Sequence, residues 1–191
     1  MLILGSSSPI RATMLEAAGV AFEARSPTYE EGPVKAGHLG DAPSLALALA
    51  KGKALAVPAR AGDTVIGGDS VLEVDGRRFD KPEDRVQAAE HLRFFSGKTM
   101  ELTSAVVLTA ERGIVWTHAE TARLTVRALD DAFISAYLDA EWPEVGYCVG
   151  VFRMEGRGVS LFEKVEGSHF TILGMPLLPL LGALRERGLA P

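Results

Sequence analysis

Apolar and polar positions along the chain change period repeatedly, and each change marks an element. Residues 2–4 form a short aliphatic run, the pattern of a buried strand. Residues 9–18 follow with helical spacing. Pro9 suits a first helical position because it has no N–H to lose, and Gly19 stops the helix. Residues 20–24 read as a second strand. Residues 26–43 are rich in proline and glycine and read as a loop carrying the pair Glu30–Glu31. Residues 44–57 return to helical spacing, with Leu45, Ala48, Leu49 and Leu55 as the apolar stripe and Lys51 and Lys53 near the end.

The second half is built from strands and helices in mixed order. Residues 64–66 and 70–74 read as two strands meeting around Gly67-Gly68-Asp69, and Asp75-Gly76 signals a hairpin turn. Residues 83–96 form a helix presenting Val86, Ala89, Leu92 and Phe95 before Gly97. Residues 99–109 and 114–127 are long strands on either side of a turn at Glu111-Arg112-Gly113. Ala122, Leu124 and Val126 alternate with Arg123, Thr125 and Arg127, as in a sheet with one wet face. Asp130 caps a helix over 130–140. Residues 146–174 are glycine-rich with short strands such as 159–162, and an amphipathic helix covers 177–187. Alternation mixed with hairpins predicts a mixed twisted sheet with flanking helices. The expectation is one elongated α/β domain over residues 1–191, with two lobes around a cleft.

Composition narrows the partners. The 191 residues are 47% hydrophobic and 24% charged, ordinary for a globular protein. A single cysteine, Cys148, excludes an internal disulfide and any multi-cysteine zinc site. The apolar start at residues 1–4 is too short for a signal peptide or a membrane span, so the expectation is a cytoplasmic protein without membrane contact. A net charge of −5 argues against a nucleic-acid face, yet a few convergent cations can still hold a small anion.

Two readings fit the turn Ser6-Ser7-Ser8-Pro9. In the first, Ser8 caps the helix. In the second, open N–H groups, hydroxyls and Arg11 form an anion site at the positive end of the helix dipole. Capping alone leaves Arg11 unexplained. Asp69, after two glycines, is either a turn residue or an acid aimed at a reacting group. Lys53 and Lys81 are either solvated or phosphate-facing cations. Glu30 and Glu31 are either a solvated pair or ligands for a hard cation. The four histidines have no metal-binding spacing, and Cys148 reads as a small core residue. Cations, acids and N–H donors together are what metal-assisted attack on a phosphate ester needs.

The ordered motifs resemble the Maf family. They are S-S-S-P-x-R at 6–11, the acidic pair at 30–31, Lys53-Ala54, I-G-G-D-S at 66–70 and D-K-P at 80–82. F-S-G-K-T at 95–99, E-G-R-G-V at 155–159 and the closing L-G-M-P-L-L continue the series. The resemblance implies a nucleoside triphosphate pyrophosphatase that cleaves between the α and β phosphates. It also implies a divalent metal (Mg or Mn), a homodimer and a fold similar to the inosine triphosphatase group. It assigns triphosphate binding to Ser6, Ser7, Ser8 and Arg11, and metal binding to Glu31 and Asp69. Lys53 and Lys81 would neutralise phosphate charge, and Asp69 would activate the attacking water.

The family often has two arginines after the proline; here the first position is Ile10. The branch acting on UTP and dTTP carries a glutamine where this chain has Glu155, and Glu155 resembles the branch that hydrolyses 7-methyl-GTP. A methylated guanine ring is cationic and favours a carboxylate. Two extra residues precede Cys148 relative to that pattern. A UTP/dTTP enzyme and a non-catalytic nucleotide-binding regulator of septum formation are the alternatives.

Overall fold

The computed structural model describes residues 1–111 and 113–191; Arg112, inside the expected turn, lies outside the described residues. The fold is α/β, built on a mixed seven-stranded sheet. In chain order the elements are β1 (Leu2–Gly5), α1 (Pro9–Ala17), β2 (Glu23–Ala24), α2 (Gly32–Gly37), α3 (Ala42–Ala56), β3 (Thr64–Val74), β4 (Arg77–Phe79) and α4 (Arg85–Phe95). They continue as β5 (Thr99–Ala110), β6 (Gly113–Val126), α5 (Asp131–Glu141), β7 (Phe162–Glu166), α6 (His169–Ile172) and α7 (Leu177–Arg185). The sheet order is β2-β1-β3-β5-β6-β7, with β4 paired to β3. By packing the chain falls into two compact units, residues 1–70, 103–120 and 168–191 in the first and residues 71–102 and 121–167 in the second.

In the first unit, β1 shows why its short run is wholly buried. It pairs in parallel with β2 and β3, and successive side chains point to opposite faces of the sheet. Leu2 and Leu4 join Met14, Leu15, Ile66, Leu180 and Leu184 under α1 and α7. Ile3 points the other way, against Ala54 and Val57 of the α3 side. Both faces are covered, so the strand has no polar position to show.

In the second unit, Ala122, Leu124 and Val126 are buried as their alternation predicts. β6 pairs there antiparallel with β7. Asp75 and Gly76 both have positive φ, 51° and 72°, as a tight hairpin turn between β3 and β4 requires. Asp130 accepts from the Phe133 amide at 2.7 Å and caps α5 as expected.

Several elements depart from expectation. β3 is one strand of eleven residues, not two, so Asp69 lies within a strand and not at a junction. β2 is only two residues long. The expected loop over 26–43 contains α2, a six-residue helix that its glycines and proline concealed. α3 starts earlier than residue 44, with Asp41 as its cap; the Asp41 side chain accepts from the Ser44 amide at 2.9 Å. Its buried face is Leu45, Ala46, Leu49, Ala50 and Ala54, with Leu55 exposed, a stripe rotated toward its alanines. α4 likewise buries Ala88, Leu92 and Phe95 while Val86 is exposed. Residues 157–161 form a 3-10 turn, and the strand expected over 159–162 begins only at Phe162.

Candidate active site

β1 and β3 run side by side with Gly5 opposite Gly67, so the serine turn leaves the sheet level with Gly68, Asp69 and Ser70. The two-residue period of β3 then sorts the site by face. Gly67 and Asp69 face α3; Gly68 and Ser70 face the side on which Arg11 reaches back from α1.

On the α3 side, Gly67 is required by close approach. A Cβ there would lie 2.2 Å from the Ala50 carbonyl oxygen and 2.7 Å from the Ala54 Cβ. This contact brings the last turn of α3 down onto β3, and Lys53 meets Asp69. Lys53 Nζ donates to Asp69 Oδ1 at 2.6 Å and lies 2.7 Å from Glu31 Oε1. Lys35 Nζ holds the other oxygen of Glu31 at 2.9 Å. The Tyr29 ring lies over Gly52 of α3 and so lays the preceding loop against the helix. Partial burial pushes the Glu31 carboxyl upward, but hydrogen bonds from Lys53 and Lys35 outweigh it and hold the carboxyl at about 2.

On the other side, Arg11 is 8% exposed, unusual for an arginine. Its Nε donates to the Gly174 carbonyl at 2.8 Å. Nη1 donates to the Gly68 carbonyl at 2.8 Å and to Ser6 Oγ at 3.3 Å, and Nη2 to Ser70 Oγ at 3.3 Å. Four of its five N–H groups are thus engaged, all by neutral acceptors. Burial lowers the guanidinium pKa from its ordinary value, and the negative charges of Asp69 and Glu31 oppose that shift. Gly174 has φ +103°, a backbone shape closed to other residues, and a Cβ there would lie 3.6 Å from Arg11 Nη2.

The serine turn differs from the capping reading. Ser8 occupies the N-cap position of α1 but its side chain makes no capping bond. Ser6 Oγ, two residues earlier, takes the local hydrogen bond by accepting from the Ser8 amide at 3.2 Å. Ser6 is buried, Ser8 half-buried and Ser7 exposed. The start of α1 is therefore not closed by a side chain, and the positive end of its dipole lies beside Arg11.

The remaining expected residues lie in the second unit. Lys81 and Glu155 are exposed, and both act on the half-buried thiol of Cys148. Burial first, then Glu155, pushes that thiol up to about 11, with Lys81 and Arg153 pulling the other way. At physiological pH this holds Cys148 mainly as the neutral, weakly nucleophilic thiol. The segment between Cys148 and Glu155 is tied to α5 at two points. Tyr137 Oη donates to the carbonyl of Val151 at 3.0 Å, and Arg153 Nη2 donates to the buried Glu141 Oε2 at 3.0 Å. Val151 is held at φ 55°, costly for a β-branched residue.

Reading the sequence missed Gly174, Ser70, Ser104 and Thr171, which surround or support Arg11, and Lys35, which holds Glu31. A main-chain acceptor and isolated core hydroxyls have no spacing that marks them. Lys35 meets Glu31 only because α2 forms, and the glycines and proline of that segment hide the helix.

Glu31 and Asp69 converge on one ammonium group, and no group of three His, Cys, Asp or Glu side chains suited to a metal occurs among the described residues. Two carboxylates fit magnesium or manganese, hard cations commonly bound through one or two carboxylates, with water and phosphate oxygens completing the shell.

An α/β sheet that gathers opposite charges at one parallel strand end defines the structural class. The Maf-like protein family model matches residues 1–187, and the chain belongs to this family. A 7-methyl-GTP pyrophosphatase of Rhizobium meliloti is 45% identical over 193 residues, covering 98% of this chain and 96% of the relative. A nucleoside triphosphate pyrophosphatase of Nitrobacter hamburgensis is 45% identical over 190 residues, covering 98% and 94%. A solved nucleoside-triphosphatase / dITP/XTP pyrophosphatase of Mycobacterium abscessus has 21% identity and a TM-score of 0.40, over 65% of this chain and 72% of that one.

Proposed function

We propose that this protein hydrolyses the α–β phosphate anhydride of a nucleoside triphosphate, giving a nucleoside monophosphate and pyrophosphate, with 7-methyl-GTP or a related modified nucleotide as substrate. The observation that carries the reading is the Lys53 ammonium shared between Glu31 and Asp69 at 2.7 and 2.6 Å. The relatives named as pyrophosphatases support it.

In this reading Lys53 holds Asp69 through Oδ1, and Oδ2 takes the proton of the attacking water. Glu31 and Asp69 would hold a divalent cation, which when bound acidifies water and spreads phosphate charge. Arg11 offers its charge and one remaining N–H to a phosphate oxygen, beside the open start of α1. Ser6 Oγ accepts two bonds, and its own proton is left to donate to that phosphate. Lys53 and Lys81 counter the charge gathering on the pyrophosphate leaving group. Glu155 selects the cationic ring of a 7-methylated guanine. The protein works as a cytoplasmic homodimer, as the family resemblance implies. No helix among the described residues is long and apolar enough to cross a membrane.

The test is pyrophosphate release with magnesium or manganese across 7-methyl-GTP, GTP, UTP and dTTP. Asp69→Asn should lower kcat by about 100-fold or more; retained activity removes Asp69 as the base. A preference for UTP or dTTP would remove Glu155 from base selection. Nucleotide binding without turnover would favour the regulator.

A further inference from the structure

Behind Arg11 lies a chain of hydroxyls that the reaction itself does not use. Ser70 Oγ, which accepts from Arg11 Nη2, is 2.8 Å from Ser104 Oγ, and Ser104 Oγ donates to the Thr171 carbonyl at 2.8 Å. Thr171 Oγ1 in turn donates to Glu120 Oε2 at 2.7 Å. Ser104 and Thr171 are completely buried. Ser104 sits on β5 beside Ala105 and Val106, where an apolar side chain would be the ordinary choice.

The direction of the chain is fixed by its ends. A guanidinium only donates and a carbonyl only accepts. Ser104 has one proton, and the Thr171 carbonyl takes it, so in the 2.8 Å contact Ser70 donates to Ser104; its other acceptor, the Gly174 carbonyl, is farther away at 3.5 Å. The Ser70 oxygen then faces Arg11 as an acceptor, and its proton is not free for a phosphate. Without Ser104, the Ser70 proton is left with only the 3.5 Å Gly174 carbonyl, which already accepts from Arg11 Nε, and the orientation of Ser70 toward the guanidinium is held less firmly.

We propose that Ser104, with Thr171 behind it, is a positioning residue for Arg11: through Ser70 it fixes which guanidinium N–H remains for the substrate's phosphate chain. The proposal rests on the reading of Arg11 as a phosphate-facing cation. It predicts an effect blind to the base, because only the phosphate end is involved.

The experiment measures kcat and KM of the full chain for 7-methyl-GTP and GTP. Ser104→Ala should raise KM about 3- to 10-fold for both, with kcat changed less than about twofold, the size of one lost hydrogen bond. Ser70→Ala should do the same. The double variant Ser70→Ala/Ser104→Ala should be no worse than the more affected single one, because the residues act in series. Ser104→Cys, of similar volume and a poor donor, carries the same test if Ser104→Ala melts markedly lower. Single effects that multiply in the double variant overturn the proposal. So does an unchanged KM in the Ser104 variants while Arg11→Ala raises it. If Arg11→Ala also leaves KM unchanged, the phosphate role of Arg11 falls, and the relay falls with it.

Discussion

The two faces of β3 handle positive charge in opposite ways. On one face Lys53 is met by two carboxylates, and Lys35 completes an alternating row of charges. On the other, Arg11 is more deeply buried yet touches only carbonyls and hydroxyls. A buried ion pair can satisfy itself and offset much of its desolvation cost. A buried guanidinium surrounded by neutral acceptors keeps its field for something else. The difference separates a cation shared directly between two acids from one whose hydrogen bonds all go to neutral groups.

The largest effects should separate the faces by kinetic parameter. Lys53→Met leaves Glu31 and Asp69 facing each other without an ammonium. It should cut kcat by about 100-fold, while magnesium raises its melting temperature more than that of the unaltered protein. Arg11→Met should instead appear mainly in KM for the triphosphate. If both variants change the same parameter by the same factor, the distinction between the faces is lost. Gly67→Ala tests the geometry beneath the lysine face. With the Ala50 carbonyl 2.2 Å from the new Cβ, α3 must move, and urea unfolding should show a loss of about 3 kcal/mol.

Smaller effects sharpen the electrostatics. Glu155 helps hold the Cys148 thiol at about 11, so Glu155→Gln should lower that pKa and speed alkylation several-fold at pH 8 to 9. An unchanged rate would separate Glu155 from the thiol. The smallest effect belongs to Glu31. Its carboxyl lies at about 2, below the ordinary 4.5, so its ion pairs stabilise the fold fully above pH 4.5 and lose that contribution as pH falls toward 2. The partly exposed pairs limit the gain over Glu31→Gln to about 1 kcal/mol or less. That difference should vanish across this window in acid unfolding.

Much of the fold was legible because local signals agreed with packing. The Asp130 cap, the Asp75-Gly76 turn and the alternation of residues 122–127 each appear as read. Where two forces disagreed, tertiary packing won. Gly67 and Gly68 weaken a strand by propensity, yet β3 runs through them because α3 needs the space. Among the charged candidates, the structure brings Glu31, Lys53 and Asp69 together, with Arg11 near enough to feel both acids. The partners that orient Arg11 were not, since the Gly174 carbonyl belongs to no side chain and Ser104 looks like any core serine.

Gly174 carries that lesson into mutational tolerance. It reacts with nothing and recognises nothing by itself, yet its backbone, at a φ of +103° that residues with a side chain rarely adopt, turns a carbonyl toward Arg11. In an exhaustive substitution library, this bare position should be nearly as intolerant as Asp69. A map of essential residues drawn only from functional groups would leave it blank.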